Sequence, residues 1–272
     1  MRKSLDACDR RPADTADMTA RKINRKGRGA GRALRLLAAA LLVLAAAFAL
    51  YCAVYYHADG TALDALVSDE AVSIERRDYG WFFDGPGEDA ALIFYPGAKV
   101  EETAYAPLLR QLAERGVDVC LVRMPLRLAV FGADRAGAVM AEHSCARWYI
   151  GGHSLGGAVA ANYASSHPGG LEGLVLLAAY PTHPLDGALV EISLYGSEDG
   201  VLDRARLEAG RQYAPARSEE LVIKGGNHAQ FGSYGSQRGD GEASIPPAAQ
   251  WAQAADFIAG FIAPEFVLAP AA

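Results

Sequence analysis

The sequence predicts an α/β domain, a mostly parallel sheet with helices on both faces, behind one N-terminal transmembrane helix. From Ala90 onward, short continuous apolar runs alternate with segments of helical periodicity, as in a parallel sheet buried on both sides. Within them, Tyr149-Ile150-Gly151-Gly152-His153-Ser154-Leu155-Gly156-Gly157 climbs from an apolar run into glycines, presents a serine and continues into an Ala-rich helix. Finally, Leu36 to Tyr56 is twenty-one residues without a charge.

Composition narrows the classes. The chain has 272 residues, 51% of them hydrophobic and 21% charged, with a net charge of −6. That charge is unevenly spread. Residues 1–35 hold eleven Lys/Arg against four Asp, a net of +7, which leaves −13 on the remainder. An acidic body argues against nucleic-acid binding, and a basic tail suits an anionic membrane surface. Four cysteines without a C-x-x-C make neither a disulfide framework nor a zinc site. His143, His167 and His183 have no partners at ligand spacing, so no metal is expected.

In chain order, residues 1–35 are expected to be a basic, disordered cytoplasmic tail. Residues 36–56 form the anchor, roughly 31 Å long as a helix and so about the thickness of a bilayer core. Arg28, Arg32 and Arg35 precede it and Tyr51, Tyr55 and Tyr56 follow as an aromatic belt, which places the body outside the cytoplasm of the cell membrane. A cleaved signal peptide ending near Ala47-Phe48-Ala49 competes with this, and agrees that the body is exported. Residues 57–69 are a juxtamembrane linker, residues 70–263 the catalytic domain and residues 264–272 a C-terminal tail. Strands are predicted at Val72–Ile74, Tyr79–Phe83, Ala90–Tyr95, Val117–Val122, Trp148–Gly151, Leu174–Ala179, Ile192–Tyr195 and Leu221–Ile223. Helices are predicted at Tyr105–Arg115, Arg127–Glu142, Ala158–Ser165, Leu202–Tyr213 and Ala248–Ile262.

Gly152-x-Ser154-x-Gly156 between a strand and a helix has the form of a nucleophile elbow. The turn is so sharp that the serine sits in a strained backbone, and glycines two residues either side admit neighbouring main chain. A serine hydroxyl needs a base, and the base a carboxylate to orient it. Both follow, each just after a strand. Asp199 lies in Tyr195-Gly196-Ser197-Glu198-Asp199-Gly200, with Glu198 and Asp203 as alternative orienters. His228 lies in Gly225-Gly226-Asn227-His228-Ala229-Gln230-Phe231. Two N–H groups are needed for a developing oxyanion; Leu155 and, in Pro96-Gly97-Ala98-Lys99, Ala98 are the candidates. His153, the variable residue of the elbow, is a candidate substrate contact.

These stretches resemble the α/β-hydrolase superfamily, most closely the bacterial branch called alpha/beta hydrolase fold-5. The resemblance covers about residues 70–263 and rests on Tyr95 to Val100, Gly151 to Gly157, Tyr195 to Gly200 and Gly225 to Gly232. It implies the α/β-hydrolase fold, a Ser154–Asp199–His228 triad, a carboxylic-ester or similar acyl substrate and no cofactor. Pro96-Gly97 stands where many relatives have His-Gly.

About a dozen residues separate Leu174–Ala179 from Ile192–Tyr195, too few for a large lid. An open pocket rimmed by Tyr180, His183, Phe231 and Tyr234 is therefore expected, taking a small-molecule or lipid-like acyl substrate. A serine esterase is the leading expectation. An acyltransferase with the same triad and a catalytically silent, membrane-tethered binding module are the alternatives.

Overall fold

A computed structural model describes residues 13–167 and 169–264. The outer parts of the two tails, residues 1–12 and 265–272, lie outside the described residues. The chain divides after Ala53 into two units.

The first unit is a single helix, α1 (Ala13–Ala53). Residues 13–35 are thus helical, not the disordered tail their polarity suggested. Ala, Arg, Lys and Leu are strong helix formers, and a helix already nucleated in the apolar run propagates through them. Leu34–Ala53 is long and apolar enough to cross a membrane, with a mean hydropathy of 2.5. By length and composition it suits a membrane anchor or a signal sequence.

The helix ends before the expected Tyr56, and the last two tyrosines of the expected belt belong to the second unit. The Arg127 guanidinium lies 3.4 Å from the centre of the Tyr55 ring, and the Tyr56 N–H donates to the Lys99 carbonyl at 2.7 Å. The expected linker 57–69 contains α2 (Gly60–Asp64), capped by the Asp59 carboxylate. The body therefore starts near Val54 rather than at residue 70.

Eight strands form one sheet: β1 (Ser73–Arg77), β2 (Gly80–Asp84), β3 (Ala90–Tyr95), β4 (Asp118–Val122), β5 (Arg147–His153), β6 (Gly173–Leu177), β7 (Val190–Gly196) and β8 (Arg217–Ile223). Their order is β1-β2-β4-β3-β5-β6-β7-β8. The β1–β2 hairpin joins β4 antiparallel, and every later pairing is parallel. The helices are α3 (Ala106–Ala113), α4 (Arg135–Glu142), α5 (Leu155–Ser166), α6 (Arg204–Gly210) and α7 (Pro247–Ile262).

Strand β3 shows why both faces are covered. Its six residues are all buried, and they alternate between two cores. Leu92 and Phe94 join Leu108 and Leu112 of α3 and Ile258 of α7. Ala91, Ile93 and Tyr95 join Val139 of α4 and Val159 of α5. The parallel strands bring the loops after β3, β5, β7 and β8 to one edge, where such sheets carry their sites.

One expected helix is shorter than its sequence pattern. Residues 127–134 are not α-helical: Leu126 (φ 53°) and Arg127 (φ 57°) are left-handed within the turn Pro125–Arg127, and a 3-10 turn follows at Ala129–Phe131. The Arg127 carbonyl is held by the Lys99 N–H at 2.8 Å.

Burial on both faces has a measurable consequence. Ile93→Ala and Phe94→Ala should each cost about 2–5 kcal/mol in urea unfolding. A sheet covered on one face only would lose stability from one of the two.

Candidate active site

Strand β5 ends at His153 and α5 begins at Leu155, so Ser154 alone makes the turn, at φ 53° and ψ −122°. Such a backbone costs a non-glycine residue about 1–3 kcal/mol unless its surroundings hold it. Here the Ser154 N–H donates to the Leu177 carbonyl of β6 at 2.9 Å. The flanking glycines answer to close approach. A Cβ on Gly152 would stand 2.4 Å from the Tyr95 carbonyl oxygen, and one on Gly156 would stand 2.1 Å from it and 2.3 Å from that of Pro96. The first turn of α5 is therefore pressed directly against the end of β3.

The loops after β7 and β8 bring Asp199 and His228 together. His228 Nδ1 lies 2.9 Å from Asp199 Oδ2, and both residues are buried. The other carboxylate oxygen accepts from the N–H groups of Val201 at 2.9 Å and Leu202 at 2.8 Å. Burial pushes the Asp199 carboxyl up, but its hydrogen bond to His228, the His228 charge and those two N–H groups outweigh it and hold it below the ordinary value. Both alternatives are engaged elsewhere. Glu198 is exposed and accepts from the Ser197 hydroxyl, while Asp203 caps α6.

His228 Nε2 is buried and makes no hydrogen bond within the described residues, so it is not bonded to the Ser154 hydroxyl in this structure. Ser154 and His228 line one cavity of about 650 Å³, together with Leu155, Tyr180 and, on α6, Arg206. The loop from Ala178 to Leu189 contains no helix, and its Ala178–Thr182 segment walls the same cavity.

The N–H of Leu155 stands at the first position of α5, where helical N–H groups have no partner in the helix. Neither it nor the N–H of Ala98 donates to a carbonyl among the described residues. The Ala98 loop is fixed around that group. Lys99 beyond it is left-handed at φ 58°, and the Gly97 N–H before it donates to the Tyr105 hydroxyl at 3.0 Å. Tyr105 is in turn 2.8 Å from His153 Nδ1.

Two of the expected substrate contacts are corrected here. His153 and Phe231 do not line the cavity but lie beneath it, 1% and 0% exposed. The turn at Ser154 sends its side chain and that of His153 to different sides. The His153 ring sits 4.4 Å from that of His228 and 5.6 Å from that of Phe231. Burial, with the His228 charge beside it, holds the His153 pKa well below the ordinary value. It is a neutral brace. Tyr180 does line the cavity, whereas His183 and Tyr234 do not.

The sequence reading missed the residues that hold His228 and its loop. The Asp240 carboxylate accepts from the N–H groups of Gly200, next to Asp199, and of His228 and Ala229, at 3.1, 3.2 and 2.8 Å. It clasps the loops of Asp199 and His228. Gln250 of α7 is fully buried and bonds both the N–H and the carbonyl of Asn227, at 3.0 and 2.8 Å. Asp240 has only flanking glycines to mark it, and Gln250 only its place as a polar residue on an otherwise apolar helix face.

The model of the alpha/beta hydrolase family matches residues 91–252. This chain belongs to the alpha/beta hydrolase family. The matched span includes Ser154, Asp199 and His228. Among solved structures, TT1662 from Thermus thermophilus is similar with a TM-score of 0.51 at 16% identity, over 73% of this chain and 99% of that one. A predicted CIB-like hydrolase from Thermoplasma acidophilum is similar with a TM-score of 0.52 at 12% identity, over 70% of this chain and all of that one. At these identities the likeness is one of fold. No curated protein matches the sequence.

If Asp240 positions the two loops of this hydrolase, Asp240→Ala should loosen the bond between His228 and Asp199. The downfield proton resonance of that bond, present in the parent, should broaden or vanish in the variant. An unchanged resonance would show that the loops hold themselves.

Proposed function

We propose that the protein is a membrane-anchored serine hydrolase that cleaves a carboxylic ester or a related acyl substrate through an acyl-enzyme. The observation that carries this reading is the buried His228–Asp199 pair, 2.9 Å apart, whose histidine opens with the strained Ser154 onto one cavity.

In this reading His228 Nε2 takes the Ser154 proton as Oγ attacks the acyl carbonyl carbon. The negative charge passes to the carbonyl oxygen, where the Leu155 and Ala98 N–H groups receive it. Asp199, ionised at neutral pH, holds the ring with its proton on Nδ1 and stabilises the imidazolium. The imidazolium then protonates the departing alcohol. Water, deprotonated by the same nitrogen, attacks the acyl-enzyme and returns Ser154. The unpartnered Nε2 supports this role, since a nitrogen engaged elsewhere would have to be freed first.

The short loop after β6 supports an open site suited to small esters or to lipid-like acyl groups. The apolar Leu34–Ala53 helix behind ten basic residues supports an anchor with the N-terminus in the cytoplasm and the body outside.

A fluorophosphonate probe should label the detergent-solubilised full-length protein and not its Ser154→Ala variant, and Asp199→Asn should slow ester hydrolysis roughly 10²–10⁴-fold. A membrane-impermeant form of the probe should label intact cells. Labelling that survives in Ser154→Ala would overturn the assignment of the nucleophile, and labelling confined to lysed cells would overturn the topology.

A further inference from the structure

A second cavity, of about 390 Å³, lies on the other side of α6 from the Ser154 site. Its floor departs from the rule that the covered face of a sheet is apolar. On β7, Ile192 and Leu194 face the core under α7, so Glu191 and Ser193 face the opposite way. On β8 the partners of those two residues in the register are Ser218 and Glu220. All four line the cavity, with Arg211 beside them.

The two carboxylates differ in what they touch. Glu220 accepts from the Tyr195 hydroxyl at 2.9 Å and from Arg211 Nη2 at 2.8 and 3.0 Å. Its charge is met within the protein. Glu191 is 5% exposed, and its Oε2 is buried without a hydrogen-bond partner among the described residues. Ser193 is 4% exposed. An unpartnered buried carboxylate is costly, and burial, then the nearby Glu220, pushes the Glu191 pKa up to about 7. The space above it is many times the roughly 30 Å³ of one water.

We propose that this cavity binds the primary ammonium group of a small organic cation, with Glu191 as counter-ion and Ser193 as a neutral acceptor. Arg211 also pairs with the exposed Glu208; of the two carboxylates that line the cavity, Glu220 is met by Arg211 and Glu191 is not, which calls for a monocation. An ammonium brings three N–H donors, matching the two oxygens of Glu191 and the Ser193 hydroxyl. A hard divalent ion would need six or more oxygens. An anion would meet two carboxylates.

The site is placed to influence its neighbour. Pro181 lines both cavities, and α6 and the turn after it offer Leu207 and Arg211 to this one and Arg206, Gly210 and Tyr213 to the other. An occupant would brace the wall against which the acyl substrate rests. That consequence depends on the serine-hydrolase reading; the binding itself does not.

The test is calorimetric titration of the full-length protein at pH 8 with n-propylammonium chloride, beside n-propyltrimethylammonium chloride, which has no N–H donor. Binding is expected for the first, not the second, and is expected to be lost in Glu191→Gln. Should that variant fold poorly, Ser193→Ala keeps the carboxylate and should weaken the amine at least about tenfold through one lost hydrogen bond to a charged group. Four results would overturn the proposal: no binding of the primary amine, equal binding of both cations, binding unchanged in the variants, or calcium chloride binding in place of the amine. Ester hydrolysis measured in parallel keeps failure of this site distinct from failure of the Ser154 assignment.

Discussion

The closeness of α5 to the end of β3 is the constraint on which the site depends. With hydrogen in place of Cβ at Gly152 and Gly156, the helix rests against the carbonyls of Tyr95 and Pro96. That contact brings the N–H of Leu155 to the loop that carries Ala98. At this contact Ser154 makes the turn at φ 53° and ψ −122°. Strain at one residue is held by the sheet, since its N–H is bonded to β6. A methyl group at Gly156 would push helix and loop apart together.

The remaining groups are held from behind by a polar layer beneath the cavity. Gly97, Tyr105 and His153 form one hydrogen-bonded line, ending with the His153 ring against that of His228. Asp240 ties the Asp199 and His228 loops to each other, and Gln250 ties the second to α7. Loops that would otherwise be the mobile part of the fold are thus fixed by directional bonds, buried at Tyr105, His153 and Gln250 and partly exposed at Asp240. Burial makes the first group stronger and their loss more costly.

Much of this was legible in the sequence wherever the signal is local. The elbow is written in five consecutive residues, and the parallel strands in continuous apolar runs such as Ala90–Tyr95. Side-chain direction in loops was not legible. His153 and Phe231 are aromatic residues next to expected catalytic groups, and nothing local distinguishes a rim from a brace under it. The helix expected from Arg127 starts later because Leu126 and Arg127 are left-handed, and the Arg127 carbonyl is held by the Lys99 N–H, nearly thirty residues earlier. The helical part of the basic N-terminal segment was not legible either, since Gly27, Gly29 and Gly31 argue locally against a helix that continues there from the apolar run. Asp240 acts on residues 12 and 40 positions away, and its role exists only once the chain has folded.

The most direct test of the account is to trap the covalent intermediate. The full-length protein, mixed with a 4-nitrophenyl ester, quenched in acid early in turnover and digested, should carry the acyl group on the peptide containing Ser154, and the His228→Ala variant treated in the same way should not. Acylation of a lysine or another serine, with Ser154 unmodified, would contradict the account.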